Sequence, residues 1–276
     1  MTFQELLQGI PGVTETVAAM PEMWPISLLQ DIYAPFGALH LVGLALMGGA
    51  VLLLNLRLMG NNVTSQSLPD VERSTRPWLI AGLAIVLGTG IIIGMLNSYK
   101  LYTSVPFFAK IMSLIGATIF SFGVTNALAK AGGKASVAVL VAGGIAMAFW
   151  LLSLGTFYGD PITSAGLFHP ISAGYALLVI YGMRTRWIAA ATFLLLFGGL
   201  FVMYWIVGFD TYEPIFDTVA FSVNIAGALI MVALYGAEIY LGRAEEATPT
   251  AKLIALFSLL AWVTVAAGGR WVGFGG

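Results

Sequence analysis

Phe36-Gly-Ala-Leu-His40-Leu-Val-Gly-Leu-Ala-Leu-Met-Gly-Gly-Ala-Val-Leu-Leu-Leu-Asn55-Leu56 is a run of 21 residues with one histidine, one asparagine and no Asp, Glu, Lys or Arg. A bilayer core of about 30 Å takes roughly 20 apolar residues in helical form, so the run reads as a membrane-spanning helix. Seven further stretches without those four residue types follow: Pro77–Tyr99, Ile111–Ala129, Ala135–Gly159, Pro161–Met183, Trp187–Phe209, Thr218–Ala237 and Leu253–Gly269. Their continuity argues against barrel strands, which would show segments of about ten residues with alternating polarity. The expected fold is all-α, a polytopic membrane helical bundle of about eight spans. Short polar breaks between them suit helix hairpins.

Composition agrees with this reading. Of the 276 residues 59% are hydrophobic and 9% charged, against roughly half and a quarter in ordinary soluble domains. The mean hydropathy is +0.93. The formal charge of −1 leaves no basic surface for neutralising phosphates, so nucleic acid is excluded as a partner and the lipid bilayer is the expected one. No cysteine is present, so disulfides, thiolate chemistry, cysteine-held iron–sulfur clusters and covalently attached haem are excluded. Chemistry is left to two histidines, a few carboxylates and a few cations.

Cytoplasmic loops of membrane proteins are enriched in Lys and Arg. Nine of the twelve cations fall on one side of the eight spans: Arg57, Arg73, Arg76, Lys130, Lys134, Arg184, Arg186, Arg243 and Lys252. The other side holds only Lys100, Lys110 and Arg270, with eight of the thirteen acids. The expectation is a bacterial inner-membrane protein with both termini on the periplasmic side. Residues 1–35 lack the basic start of a secretory signal and are expected to stay on the mature protein. Phe3, Leu6, Leu7 and Ile10 keep helical amphipathic spacing, and Ile26, Leu28, Leu29, Ile32 and Tyr33 follow a break at Pro21 and Pro25. This acidic segment reads as a lid on the outer mouth of the bundle or as an interfacial anchor.

The chain also shows weak internal similarity. Phe36-Gly-Ala-Leu-His40 opens the first span and Ala165-Gly-Leu-Phe-His169 the fifth. Thr75-Arg76-Pro77-Trp78 is matched by Thr185-Arg186-Trp187, and Tyr102 with Pro106-Phe107 by Tyr212 with Pro214-Ile215-Phe216. This divides the chain into an N-terminal segment, residues 1–35, and two four-helix halves, residues 36–159 and 160–276, of shared topology.

The string from His40 through Asn55-Leu-Arg57-Leu-Met-Gly60 resembles the signature of a family of uncharacterised bacterial inner-membrane proteins, whose His-led span ends in Asp-Leu-Arg-Leu-Leu-Gly. The resemblance continues in Arg76-Pro-Trp, Gly88-Thr89-Gly90, Pro106-Phe-Phe-Ala-Lys110 and Gly269-Arg270-Trp271. Asn55 departs from the pattern, which removes any salt bridge from that position to Arg57. The family is distantly similar in architecture to copper-resistance proteins of the D type and to di-histidine b-type cytochromes. That likeness implies a membrane bundle and is an analogy for function.

His40 and His169 are the only histidines and take corresponding places in the two halves. Each reads either as a satisfied polar residue at a helix start or as one of two axial ligands of a haem b between the halves. His40 lies at least a turn inside its helix, whereas His169 precedes Pro170, so the two rings match in depth only if span five begins near Ser164. Haem propionates need cationic donors, for which Lys110 and Arg270 stand as candidates beside Lys100. The same cations also suit snorkelling or pairing with Asp210, Glu213 or Asp217. Tyr99 and Tyr102 join this cluster or the interfacial belt.

Copper is the alternative cofactor, with His40 and His169 as metal ligands, because imidazole and thioether bind Cu(I). Met20 and Met23 are the closest methionine pair, and the rest read as packing. The glycine pairs within spans permit close helix contact or room for a flat cofactor. No hydrolase constellation and no carboxylate pathway appears.

The expected function is therefore a cytochrome-like membrane protein carrying single electrons between a quinone or membrane donor and a periplasmic redox protein. A copper-handling permease is the alternative. A third reading is a non-catalytic subunit, or a homo-oligomer, docking a periplasmic partner.

Overall fold

A computed structural model describes residues 8–60, 65–156, 186–199 and 248–273, together with isolated helical residues between Gly174 and Ala237. Among these residues there is helix and no strand. The elements are α1 (Val13–Ala19), two 3-10 turns (Met20–Glu22 and Ile26–Leu29), α2 (Tyr33–Leu58), α3 (Leu68–Leu96) and α4 (Ser98–Tyr102). They continue with α5 (Val105–Ile119), a π-helical segment (Phe120–Thr125), α6 (Asn126–Lys130), α7 (Val137–Thr156), α8 (Arg186–Phe193) and α9 (Pro249–Trp271). Five of these segments are long and apolar enough to cross a membrane: α2, α3, the continuous stretch Val105–Lys130, α7 and α9. The protein is a multi-pass membrane protein.

The five match five of the expected spans, with boundaries that differ for a physical reason. The expected second span opens at Pro77, but α3 begins two turns earlier. Ser67 caps it, its hydroxyl accepting from the Asp70 amide at 3.3 Å, and Pro69 sits in the first turn. Proline there has no amide to leave unsatisfied. The charged residues Asp70 to Arg76 are helical without being apolar, so a reading based on charge-free runs ends too soon. Pro77 lies inside the helix, where it supplies no amide to the Arg73 carbonyl. At the other boundary α2 closes at Gly60, whose φ of 86° is a left-handed conformation that glycine adopts without strain.

The α2–α3 hairpin is packed backbone to backbone. A Cβ added at Gly82 would lie 2.6 Å from the Met47 amide nitrogen and 2.8 Å from the Gly43 carbonyl oxygen. Small residues permit this approach, which is how helices gain contact where lipid competes for apolar surface. Gly116 does the same between α5 and α7, with the Ala146 carbonyl 2.8 Å from where its Cβ would stand.

The last helix occupies the centre. In α9 Ala255, Ser258, Ala261 and Thr264 are fully buried, and three polar contacts tie it to helices far upstream. Ser113 donates to the Ala261 carbonyl at 2.7 Å, the Trp150 indole to Thr264 at 2.9 Å, and the Trp262 indole to Ser121 at 3.0 Å. Ser121 belongs to the π-helical segment, a wide turn buried at Phe120, Val124 and Thr125. Lys252, expected in a loop, instead lies buried in the first turn of α9.

These contacts fix direction. Ser153, near the end of α7, donates to the Ala109 carbonyl near the start of α5 at 2.7 Å. Gly268, near the end of α9, abuts Lys110 and the Pro106 carbonyl. The starts of α2 and α5 and the ends of α3, α7 and α9 therefore share one end of the bundle, called here the His40 end. Arg57, Arg73, Arg76 and Lys130 mark the opposite, basic end. Expected span Pro161–Met183 lies outside the described residues except for Gly174, and those from Trp187 and Thr218 are described only in part.

Candidate functional site

His40 stands two turns into α2, and Thr89 faces it from α3. The Thr89 hydroxyl lies 2.6 Å from the Ile85 carbonyl and 2.8 Å from the His40 Nδ1. A threonine hydroxyl has one hydrogen, and the shorter contact to a carbonyl, which can only accept, claims it. Towards the ring Thr89 therefore presents a lone pair, and Nδ1–H donates to it. In the neutral ring this leaves Nε2 unprotonated, the tautomer of a histidine ligand whose other nitrogen is held by a fixed acceptor.

His40 lines a cavity of about 430 Å³ at its end of the bundle, within the range of roughly 300–1,000 Å³ that holds small molecules. Four parts of the chain build it. Gly90 and Gly94 of α3 form one wall, and a Cβ at Gly90 would come within 3.4 Å of the His40 Cε1, so the absence of a side chain leaves the ring edge open. Tyr102 of α4 and Phe107 and Phe108 of α5 supply aromatic surface, the two phenylalanines meeting edge to face with centroids 6.1 Å apart. Lys110, on the next turn of α5, is the cation among the described residues that line the cavity. Its chain runs along Gly269 of α9, where a Cβ would lie 3.6 Å from Nζ.

The fourth part is the N-terminal segment. In α1 Val13, Thr14 and Val17 turn inward with Met20 beyond them, and Val17 and Met20 line the cavity. The segment is tied down by polar contacts: Ser98 donates to the Val17 carbonyl at 2.6 Å, and Thr14 and Tyr102 hydroxyls meet at 3.4 Å. The amphipathic helix expected from Phe3 to Ile10 falls mostly outside the described residues. The helix observed, Val13–Ala19, carries its own signal in the spacing of Val13, Val17 and Met20.

Of the four residues singled out from sequence, the structure brings His40 and Lys110 into one cavity. Arg270 ends α9 on an exposed position beside Gly269 and does not line it. His169 lies outside the described residues, as do Asp210, Glu213 and Asp217. Tyr102 joins the cavity, while Tyr99 is exposed. Thr89 was visible in sequence only as the middle of Gly88-Thr89-Gly90. Its role could have been sought from the rule that a hydroxyl inside a span bonds its own helix and one neighbour. Among the described residues no group of three or more His, Asp or Glu side chains is placed to hold a metal ion.

The profile of a family of unknown function, DUF6644, matches residues 27–159, just under half of the chain. The match begins in the segment before α2, ends just after α7, and includes His40, Thr89 and Lys110. No curated protein and no solved structure matches the chain.

Proposed function

We propose that the protein is a b-type cytochrome-like electron carrier of the bacterial inner membrane, with haem b held at the His40 cavity. The observation that carries this reading is the pairing, in one largely apolar cavity, of an imidazole whose Nδ1 is fixed by Thr89 and a single lysine. These residues fit the group: Nε2 of His40 is the free ligand atom, Lys110 is a partner for a propionate, and Gly90 leaves the ring edge uncovered. The haem would supply reversible one-electron chemistry; the protein sets its potential through ligation, burial and charge. His169 would be the second histidine holding the haem, and Arg270 a second propionate partner.

Eight spans in two similar halves accompany the proposal. Thr156 ends α7 at the His40 end and Pro249 starts α9 at the basic end, an arrangement consistent with the three further spans expected from sequence. Orientation rests on the positive-inside bias, which puts the His40 end and both termini in the periplasm. A quinone in the membrane and a periplasmic redox protein are the proposed partners, and residues 1–35 act as a lid.

A copper-handling permease is the second reading, favoured by one observation: Met20 and Met95 line the same cavity as His40, a thioether and imidazole set suited to Cu(I). Optical spectra of purified protein, oxidised and dithionite-reduced, with metal analysis of the same sample, test both. A sharp Soret band with split visible bands on reduction, lost in His40→Ala, supports haem. A colourless protein expressed with ample haem overturns it, and copper in that sample favours the second reading.

A further inference from the structure

At the basic end, far from His40, a second cavity of about 500 Å³ is lined by Pro69, Glu72, Arg73, Arg76, Pro77 and Lys130. Of these described lining residues three are cations and one is an acid. The acid does not satisfy them. Glu72 is 95% buried on its side chain, and its Oε1 lies 3.6 Å from the Lys130 Nζ and 3.9 Å from the Arg76 Nε. Charge-assisted hydrogen bonds between such groups run about 2.7–2.9 Å. The Glu72 carboxylate therefore holds both cations in place by charge without taking their hydrogens. Arg73 is drawn to Asp70, again at the long distance of 3.5 Å.

The elements that meet here keep the cations converged. Arg73 and Arg76 lie one turn apart on α3, and Lys130 reaches across from the end of α6. Pro69 and Pro77 bracket the α3 turns that carry the arginines. Trp78, the next residue, is 58% exposed, and an exposed tryptophan at the end of an apolar run marks the headgroup level of a bilayer. The cavity thus opens at the depth where lipid phosphates lie.

We infer that this cavity binds a phosphate group. Two guanidinium forks and one ammonium around one opening suit a tetrahedral anion with several acceptor oxygens, and basic pockets between spans on the cytoplasmic side recognise lipid headgroups in this way. The source is either the headgroup of an anionic phospholipid, such as phosphatidylglycerol, or a soluble phosphate.

The test compares the melting temperature of the full chain in nanodiscs of phosphatidylcholine and of phosphatidylcholine with phosphatidylglycerol, each with and without inorganic phosphate. A rise of about 3 °C or more with phosphatidylglycerol, absent in the double variant Arg76→Gln, Lys130→Gln, supports a lipid phosphate. A comparable rise with inorganic phosphate in phosphatidylcholine alone, also lost in the double variant, supports a soluble phosphate. Arg57→Gln is the control, because Arg57 donates to the Gln66 carbonyl at 2.8 Å and does not line the cavity; it keeps the rise. No rise in the wild type, or the same rise in the double variant, overturns the inference. Should the double variant not fold, Lys130→Gln alone is measured, and a full rise there overturns it equally.

Discussion

At the His40 end three polar side chains are each held by another helix: His40 by Thr89, Ser98 by the Val17 carbonyl, Ser153 by the Ala109 carbonyl. At the basic end Asp70, Glu72, Arg73, Arg76 and Lys130 crowd within two turns of α3 and the end of α6, at distances of 3.5 Å or more. One end thus fixes single groups by short hydrogen bonds within an apolar shell. The other gathers several charges at longer distances around the buried Glu72 carboxylate, with Arg73, Arg76 and Lys130 about half exposed or more. Short, single contacts specify one orientation of one side chain, which serves ligation. Loose clusters set a potential, which serves attraction.

The largest break in this contrast comes from His40→Ala. If the His40 end exists to hold a ligand, its optical or metal signal disappears entirely while the protein still inserts and purifies, as checked by absorbance of the detergent-solubilised protein. Thr89→Val removes the acceptor that fixes the ring and keeps the shape. A weakening of cofactor affinity by about 10- to 100-fold is expected, with a shift in midpoint potential, measured by titration and spectroelectrochemistry. An unchanged potential would show that the contact is only structural.

The contrast also depends on a rigid α2–α3 hairpin joining the two ends. Gly82→Ala places a methyl against the Met47 amide and the Gly43 carbonyl, backbone atoms that cannot rotate away. A loss of about 1–3 kcal/mol in detergent is expected, whereas Gly48→Ala, with nothing within 4 Å of the added carbon, changes stability by less than about 0.5 kcal/mol. The smallest effect belongs to the basic end. Glu72→Gln leaves Arg76 and Lys130 half exposed, so no more than about 1 kcal/mol is lost, and the loss shrinks with added salt in a thermal melt.

Much of this was readable in advance because lipid imposes a simple rule. Stretches without Asp, Glu, Lys or Arg found the five spans among the described residues, and Pro77 was misplaced because two turns of α3 are helical outside that rule. His40 and Lys110 were legible for the same reason, as rare ionisable groups at or within spans. Thr89 was not, since a threonine among glycines has no charge to mark it, and its partner is 49 residues away. Nor did anything in Leu253–Gly269 announce a central helix by hydropathy. Its signal lay in Ser258, Trp262, Thr264 and Gly268, small or polar residues suited to close contact on all sides. The π-helical turn at Phe120–Thr125 had no sequence mark that we recognise.

The central place of α9 has a consequence for how the protein is made. Of the described helices it is synthesised last, yet it fills the middle. When α2 to α7 are already in the bilayer, the Ser113 hydroxyl and the Trp150 indole have no Ala261 carbonyl or Thr264 hydroxyl to meet, and Ser121 awaits the Trp262 indole. Until α9 arrives, these polar groups of the earlier helices are without the partners they have in the finished bundle. Packing of this seam therefore waits for α9, and a ribosome stalled before Pro249 holds a chain in which α2 to α7 lack these three hydrogen bonds.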